Sequence, residues 1–142
     1  MLGRYSNNAL LRYPHMSAEE GIIWGKFLAK YGKEYQRFDY DLRVGSGVTP
    51  EQDLPYEFKK DYEDLTKARI DAVGYVYKTA TIFEVKQRAN FNGIGQLLGY
   101  KDLFLKSFPQ FSVNDLILIC GSATAEIQQV IEDQNIILLI IT

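Results

Sequence analysis

The chain has 142 residues, 46% hydrophobic and 24% charged, the size and composition of one globular domain able to bury its own core. Its net charge of −2 counts against a protein that coats nucleic acid through bulk positive charge, though not against an enzyme that grips phosphate through metal ions and a few local cations. A single cysteine, Cys120, excludes an internal disulfide; set in the apolar run 116–120, it reads as a small core residue and fits a reducing compartment such as the cytoplasm.

Residues 1–14 are polar and aromatic, without the apolar stretch of a secretory leader. Residues 1–15 read as an irregular arm. The first helix is predicted over 18–31. Ser17 stands at its N-cap, Glu20 stands where a capping-box acid belongs, and Ile23, Trp24, Phe27, Leu28 and Tyr31 recur on one face. Gly32 ends it. A strand follows, with Phe38, Tyr40, Leu42 and Val44 on one side and Arg37, Asp39, Asp41 and Arg43 on the other. Gly45-Ser46-Gly47 and the stretch 50–55 make a long connection, and 56–67 a short surface helix. Two adjacent strands are expected at 69–77 and 81–86. A turn at 89–93 leads to a second helix over 94–106, closed by Phe108-Pro109. A strand at 115–120, a helix at 124–133 and a strand at 136–141 complete the chain. The last is far too short to span a bilayer and reads as either a sheet edge or a central strand. No repeat or linker divides the sequence, so 1–142 is read as one domain. The order α-β-β-β-α-β-α-β predicts an α/β fold, a mixed central β-sheet flanked by helices.

The chemistry gathers on the adjacent strands. If they reverse at Tyr77-Lys78, Asp71 stands opposite Glu84, and opposed residues share a face of the sheet. Lys86, two residues beyond Glu84, shares that face too. Opposed carboxylates repel and add no stability, but a divalent cation removes the repulsion. Two carboxylates, a cation and an ammonium are the parts that phosphodiester hydrolysis needs.

Ile70-Asp71-Ala72-Val73 followed by Ile82-Phe83-Glu84-Val85-Lys86 resembles the signature of the PD-(D/E)XK nucleases. Gln96-Leu97-Leu98-Gly99-Tyr100, four-spaced on the following helix, is similar to the QxxxY element of the RecB-like branch. Ile70 stands where the motif has its proline. The resemblance implies a restriction-endonuclease-like core, with Asp71, Glu84 and the Val85 carbonyl binding Mg²⁺ (Mn²⁺ substituting) and Lys86 positioning or activating water. It further implies that Gln96 and Tyr100 orient the lysine or contact substrate. A first-helix acid, Glu20 or alternatively Glu19, is expected as well, Glu20 completing the metal site through water. The implied activity is that of a metal-dependent deoxyribonuclease, endo- or exonucleolytic, from a bacterium or a phage-infected cell. It would work on DNA as a homodimer or within a larger DNA-processing assembly. The alternative is a catalytically weak or inactive nuclease-fold module for DNA binding or assembly.

Each residue has a plainer reading. Asp71, Glu84 and Lys86 could form a solvated, salt-bridged strand face, although the three together favour a site. Glu20 serves equally as the capping acid. Gln96 and Tyr100 suit any amphipathic helix. Arg69 and Arg88 are either phosphate contacts on DNA or ordinary strand arginines. The lone His15 is expected as a surface residue rather than a ligand, since nothing in the sequence places it near the acids. Gly93-Ile94-Gly95 reads as a flexible turn that lets the second helix approach the site.

Overall fold

The computed structural model describes residues 1–45, 55, 56, 58 and 67–142. Most of the connection expected after Gly45, and most of the surface helix expected at 56–67, lie outside these residues. Helix α1 (Ala18–Tyr31) begins with a full capping box. The Ser17 hydroxyl accepts from the Glu20 amide at 3.1 Å, and the Glu20 carboxylate accepts from the Ser17 amide at 2.9 Å. Trp24, Phe27 and Leu28 form its buried stripe. A short 3₁₀ turn (Gly32–Glu34) then feeds strand β1 (Arg37–Val44).

Strands β2 (Ala68–Val76) and β3 (Thr79–Arg88) form the expected hairpin, reversing at Tyr77-Lys78. Tyr77 adopts φ 52, and its amide donates to the Gln36 side chain at 2.8 Å. Helix α2 (Phe91–Ser107), strand β4 (Ser112–Ser122), helix α3 (Ala125–Asp133) and strand β5 (Ile137–Ile140) follow. The five strands form one sheet in the order β1-β2-β3-β4-β5. β1, β2 and β3 are antiparallel neighbours, whereas β3, β4 and β5 run parallel, each step crossing over through a helix. The α/β class and the mixed sheet are therefore as expected, and β5 is an edge strand.

Apolar cores lie on both faces. On one, Trp24 and Phe27 of α1 pack with Phe38, Tyr40 and Phe83, and the Trp24 indole N–H donates to the Tyr40 hydroxyl at 3.1 Å. On the other, Leu97 and Phe104 of α2 and Ile127 and Ile131 of α3 cover Val73, Ile82 and Leu118. Strand β1 corrects the simple alternation. Phe38 and Tyr40 enter the α1 core, but Leu42 and Val44 enter the α2 core. The switch falls at Asp41, whose φ of 52 rotates the strand by one face. Helix α2 is a second correction. It starts at Phe91, so Gly93-Ile94-Gly95 is helical from the outset rather than a turn. Asn90 caps it, its side-chain oxygen accepting from the Gly93 amide at 2.8 Å.

The arm is irregular but pinned. Tyr5 exchanges two backbone hydrogen bonds of 2.9 Å with Phe38. The fully buried Asp39 carboxylate accepts from the Gly3 amide (2.7 Å), the Arg4 amide (3.0 Å) and the Tyr75 hydroxyl (2.7 Å).

Candidate active site

The β2–β3 pairing runs from Val76 opposite Thr79 to Ala72 opposite Phe83. One step further, the same register sets Asp71 opposite Glu84. There the regular ladder gives way: Asp71 Oδ2 accepts the Val85 amide at 2.9 Å, a carboxylate standing where a strand carbonyl would. In an antiparallel strand the N–H and C=O of one residue turn toward the same neighbour, so the Val85 carbonyl also points to the β2 side. The β1–β2 ladder opens at the same level. Tyr40 pairs with Ala72 and Leu42 with Ile70, but the step between them, Asp41 against Asp71, is left unpaired.

Glu84 is 2% exposed and Asp71 6%. Burial, and then the charge of Asp71, pushes the Glu84 carboxyl up to about 9, while Lys86 draws it back. Burial also raises Asp71. The Glu84 carboxyl and the Val85 amide lower it by hydrogen bonding, and the charge of Glu20 raises it further. Lys86 Nζ lies 3.5 Å from Glu84 Oε1, its side chain 22% exposed. Glu84 Oε2 is buried with no donor. Two ionised carboxylates cannot hydrogen-bond to each other, so this oxygen needs either a proton or a cation.

Helix α2 closes the site from the side. At Gly93 an added Cβ would stand 3.2 Å from Leu118 Cδ1 and 3.8 Å from Lys86 Cε, so the glycine lets the helix start close against β4 and the lysine. One turn apart on α2, the Gln96 amide nitrogen donates to the Tyr100 hydroxyl at 3.3 Å, and Gln96 Oε1 is buried without a partner. The Tyr100 phenol is held protonated by burial and by the charges of Glu84 and Asp71. Asp71, Glu84, Lys86, Gln96 and Tyr100 thus come together, with the Val85 backbone between the acids.

The remaining expected residues fall around this centre. Glu20 is half-buried and combines two roles, capping Ser17 while its charge acts on Asp71. Glu19 is exposed on the same helix. Arg69 is engaged with Asp41 through two hydrogen bonds of 2.6 Å, so its guanidinium serves the strand opening rather than facing solvent freely. Arg88 is exposed at the end of β3, opposite Ser122. His15 is exposed in the arm, as expected, with a φ of 66. Asp41 and Asn90, one at the strand opening and one at the helix cap, were not singled out from the sequence.

Compared with family models, with curated proteins and with solved structures, the chain matches none.

Whether these residues suit a metal is answered by their chemistry. Among the described residues no three His, Cys, Asp or Glu side chains gather into a metal-holding group. Mg²⁺ does not require three: one or two carboxylates, completed by water and substrate phosphate, suffice. Two buried carboxylates with one oxygen lacking any donor fit a small, hard divalent cation. The single Lys86 ammonium leaves the pair under-compensated. Among the described residues no helix is long and apolar enough to cross a membrane.

Proposed function

We propose that the chain is a metal-dependent nuclease with a restriction-endonuclease-like core and a PD-(D/E)XK-type site, hydrolysing DNA phosphodiester bonds. One observation carries this reading. Among the described residues, the only buried side-chain polar atoms without a partner are Glu84 Oε2 and Gln96 Oε1, and both belong to this cluster. Buried polar groups are nearly always satisfied, so Glu84 Oε2 calls either for a proton shared with Asp71 or for a bound cation, and Gln96 Oε1 for a donor that the described residues do not supply. The choice of DNA over RNA comes from the resemblance of the motifs.

Asp71, Glu84 and the Val85 carbonyl would hold Mg²⁺, or Mn²⁺ in its place. The ion supplies positive charge at the scissile phosphate and acidity to water. Lys86 holds the attacking water by hydrogen bonding and places positive charge beside the phosphoryl oxygens. Water adds to phosphorus and loses a proton to solvent, the bridging P–O bond breaks, and the departing alkoxide takes up a proton from solvent. Gln96 and Tyr100 fix the lysine's position or hold the substrate backbone, Gln96 through its free Oε1. Glu20, at the edge of the site, adds negative charge that favours cation binding. Cutting both strands of a duplex in concert would call for a second copy of the chain.

The test is calorimetric titration of Mg²⁺ and Mn²⁺ into the wild type and Glu84→Ala, followed by incubation of both with supercoiled, linear and branched DNA. Metal binding and cutting by the wild type alone is the expected outcome. Failure to bind either ion or to cut any substrate would remove the enzyme reading and leave a nuclease-fold assembly module.

A further inference from the structure

A groove of about 520 Å³ lies between the arm and β1, and Arg4, Tyr5, Pro14, Tyr40, Asp41 and Arg43 help to line it. It adjoins the candidate site through strand β1. Across the β1–β2 pair, Asp41 stands at the unpaired step opposite Asp71, one strand spacing or roughly 5 Å away.

The accessible charge in this groove is positive, although the chain as a whole is negative. Asp41 is already matched by the two hydrogen bonds from Arg69. The neighbouring Asp39 is fully buried beneath the arm. Arg43 is exposed with no partner among the described residues, and Arg4 spends only its Nε on Asp39, at 3.4 Å, with 57% of its side chain exposed. Four of the five guanidinium donors of Arg4 stay open. Tyr5 adds a half-buried ring braced edge-on against Tyr40, with centroids 5.1 Å apart. Two arginines and a braced ring are what grips one strand of nucleic acid: cations follow the phosphates while an aromatic face meets a base. The volume is that of a small-molecule pocket and has room for roughly one or two nucleotides, not for a double helix.

We infer that this groove is the path of a single, unpaired strand, with Arg43 and Arg4 on its phosphates and Tyr5 against a base. It would present a strand end or unpaired segment to Asp71 and Glu84. Delivery of the strand for cutting rests on the nuclease reading; binding of the strand does not.

The experiment measures binding of a fluorescein-labelled single-stranded oligonucleotide, and of the blunt duplex of the same sequence, by anisotropy in EDTA. The proteins are the wild type, Arg43→Ala, Arg4→Ala, Tyr5→Phe and Tyr5→Ala, all checked for unchanged thermal unfolding. The wild type is expected to prefer the single strand. Each arginine variant should weaken it roughly tenfold and shallow its salt dependence by about one counterion. Tyr5→Phe should bind as the wild type does, and Tyr5→Ala, if folded, more weakly. Unchanged affinity in both arginine variants would overturn the groove, even if the wild type cuts DNA with Mg²⁺. Equal affinity for duplex and single strand would overturn the unpaired-strand assignment. Weakened binding by the arginine variants in a protein that cuts nothing would uphold the groove and retire the nuclease reading instead.

Discussion

At the scale of single residues, the Asp71–Glu84 pair ties protonation to folding. The ordinary glutamate value is 4.5, and burial beside Asp71 lifts Glu84 to about 9 in the folded chain. A carboxyl raised on folding holds a proton that the unfolded chain has already lost. Its stabilising contribution is complete below 4.5 and drains away as pH climbs toward about 9. Asp71 is shifted in the same direction and adds to the slope. In EDTA the melting temperature of the wild type should therefore fall steadily from pH 5 to pH 9, whereas Glu84→Gln, which cannot ionise, should show a much flatter profile. Parallel profiles for the two proteins would mean that the pair does not share a proton.

At the scale of elements, the start of α2 governs how the lysine and the Gln96–Tyr100 pair meet the acids. Asn90→Ala removes the cap on the Gly93 amide and should cost about 1 kcal/mol, read as a lowered denaturant midpoint with unchanged slope; Asn90→Asp should restore it. Elements also mark the limit of what sequence conveys. The two-residue turn at Tyr77-Lys78 fixes a register, and that register alone brings Asp71 to Glu84, so this proximity is legible from spacing. The beginning of α2 is not. Gly93 and Gly95 are poor helix formers that look like a turn; tertiary packing against Leu118 explains the glycine at 93, and nothing in the structure explains the one at 95. The face switch in β1 is equally hidden. Alternation assumes a flat strand, and nothing in Asp41 as a letter announces a left-handed backbone.

For the molecule as a whole, the arm is a structural member rather than a loose end. Asp39 gathers Gly3, Arg4 and Tyr75, joining the arm to two strands with one buried carboxylate. Asp39→Ala would strand two amides and a phenol without an acceptor. It should cost about 3 kcal/mol or more, lowering the melting temperature by roughly 10 °C. Limited proteolysis should then clip the arm ahead of the sheet. Loss of stability without any gain in arm cleavage would mean that Asp39 supports the strands alone. The same arm carries Arg4 and Tyr5, so its anchoring also sets the shape of the groove.

The opposite border of the sheet presents a different physical problem. Strand β5 is an edge of only four residues, apolar throughout, with Ile137 and Ile140 exposed. It carries none of the lysines, prolines or bulges with which edge strands commonly turn away other chains. Its protection is brevity: four residues offer too few backbone hydrogen bonds to hold a stranger. Lengthening this edge by a residue pair would offer a second chain more backbone donors and acceptors and so favour self-association.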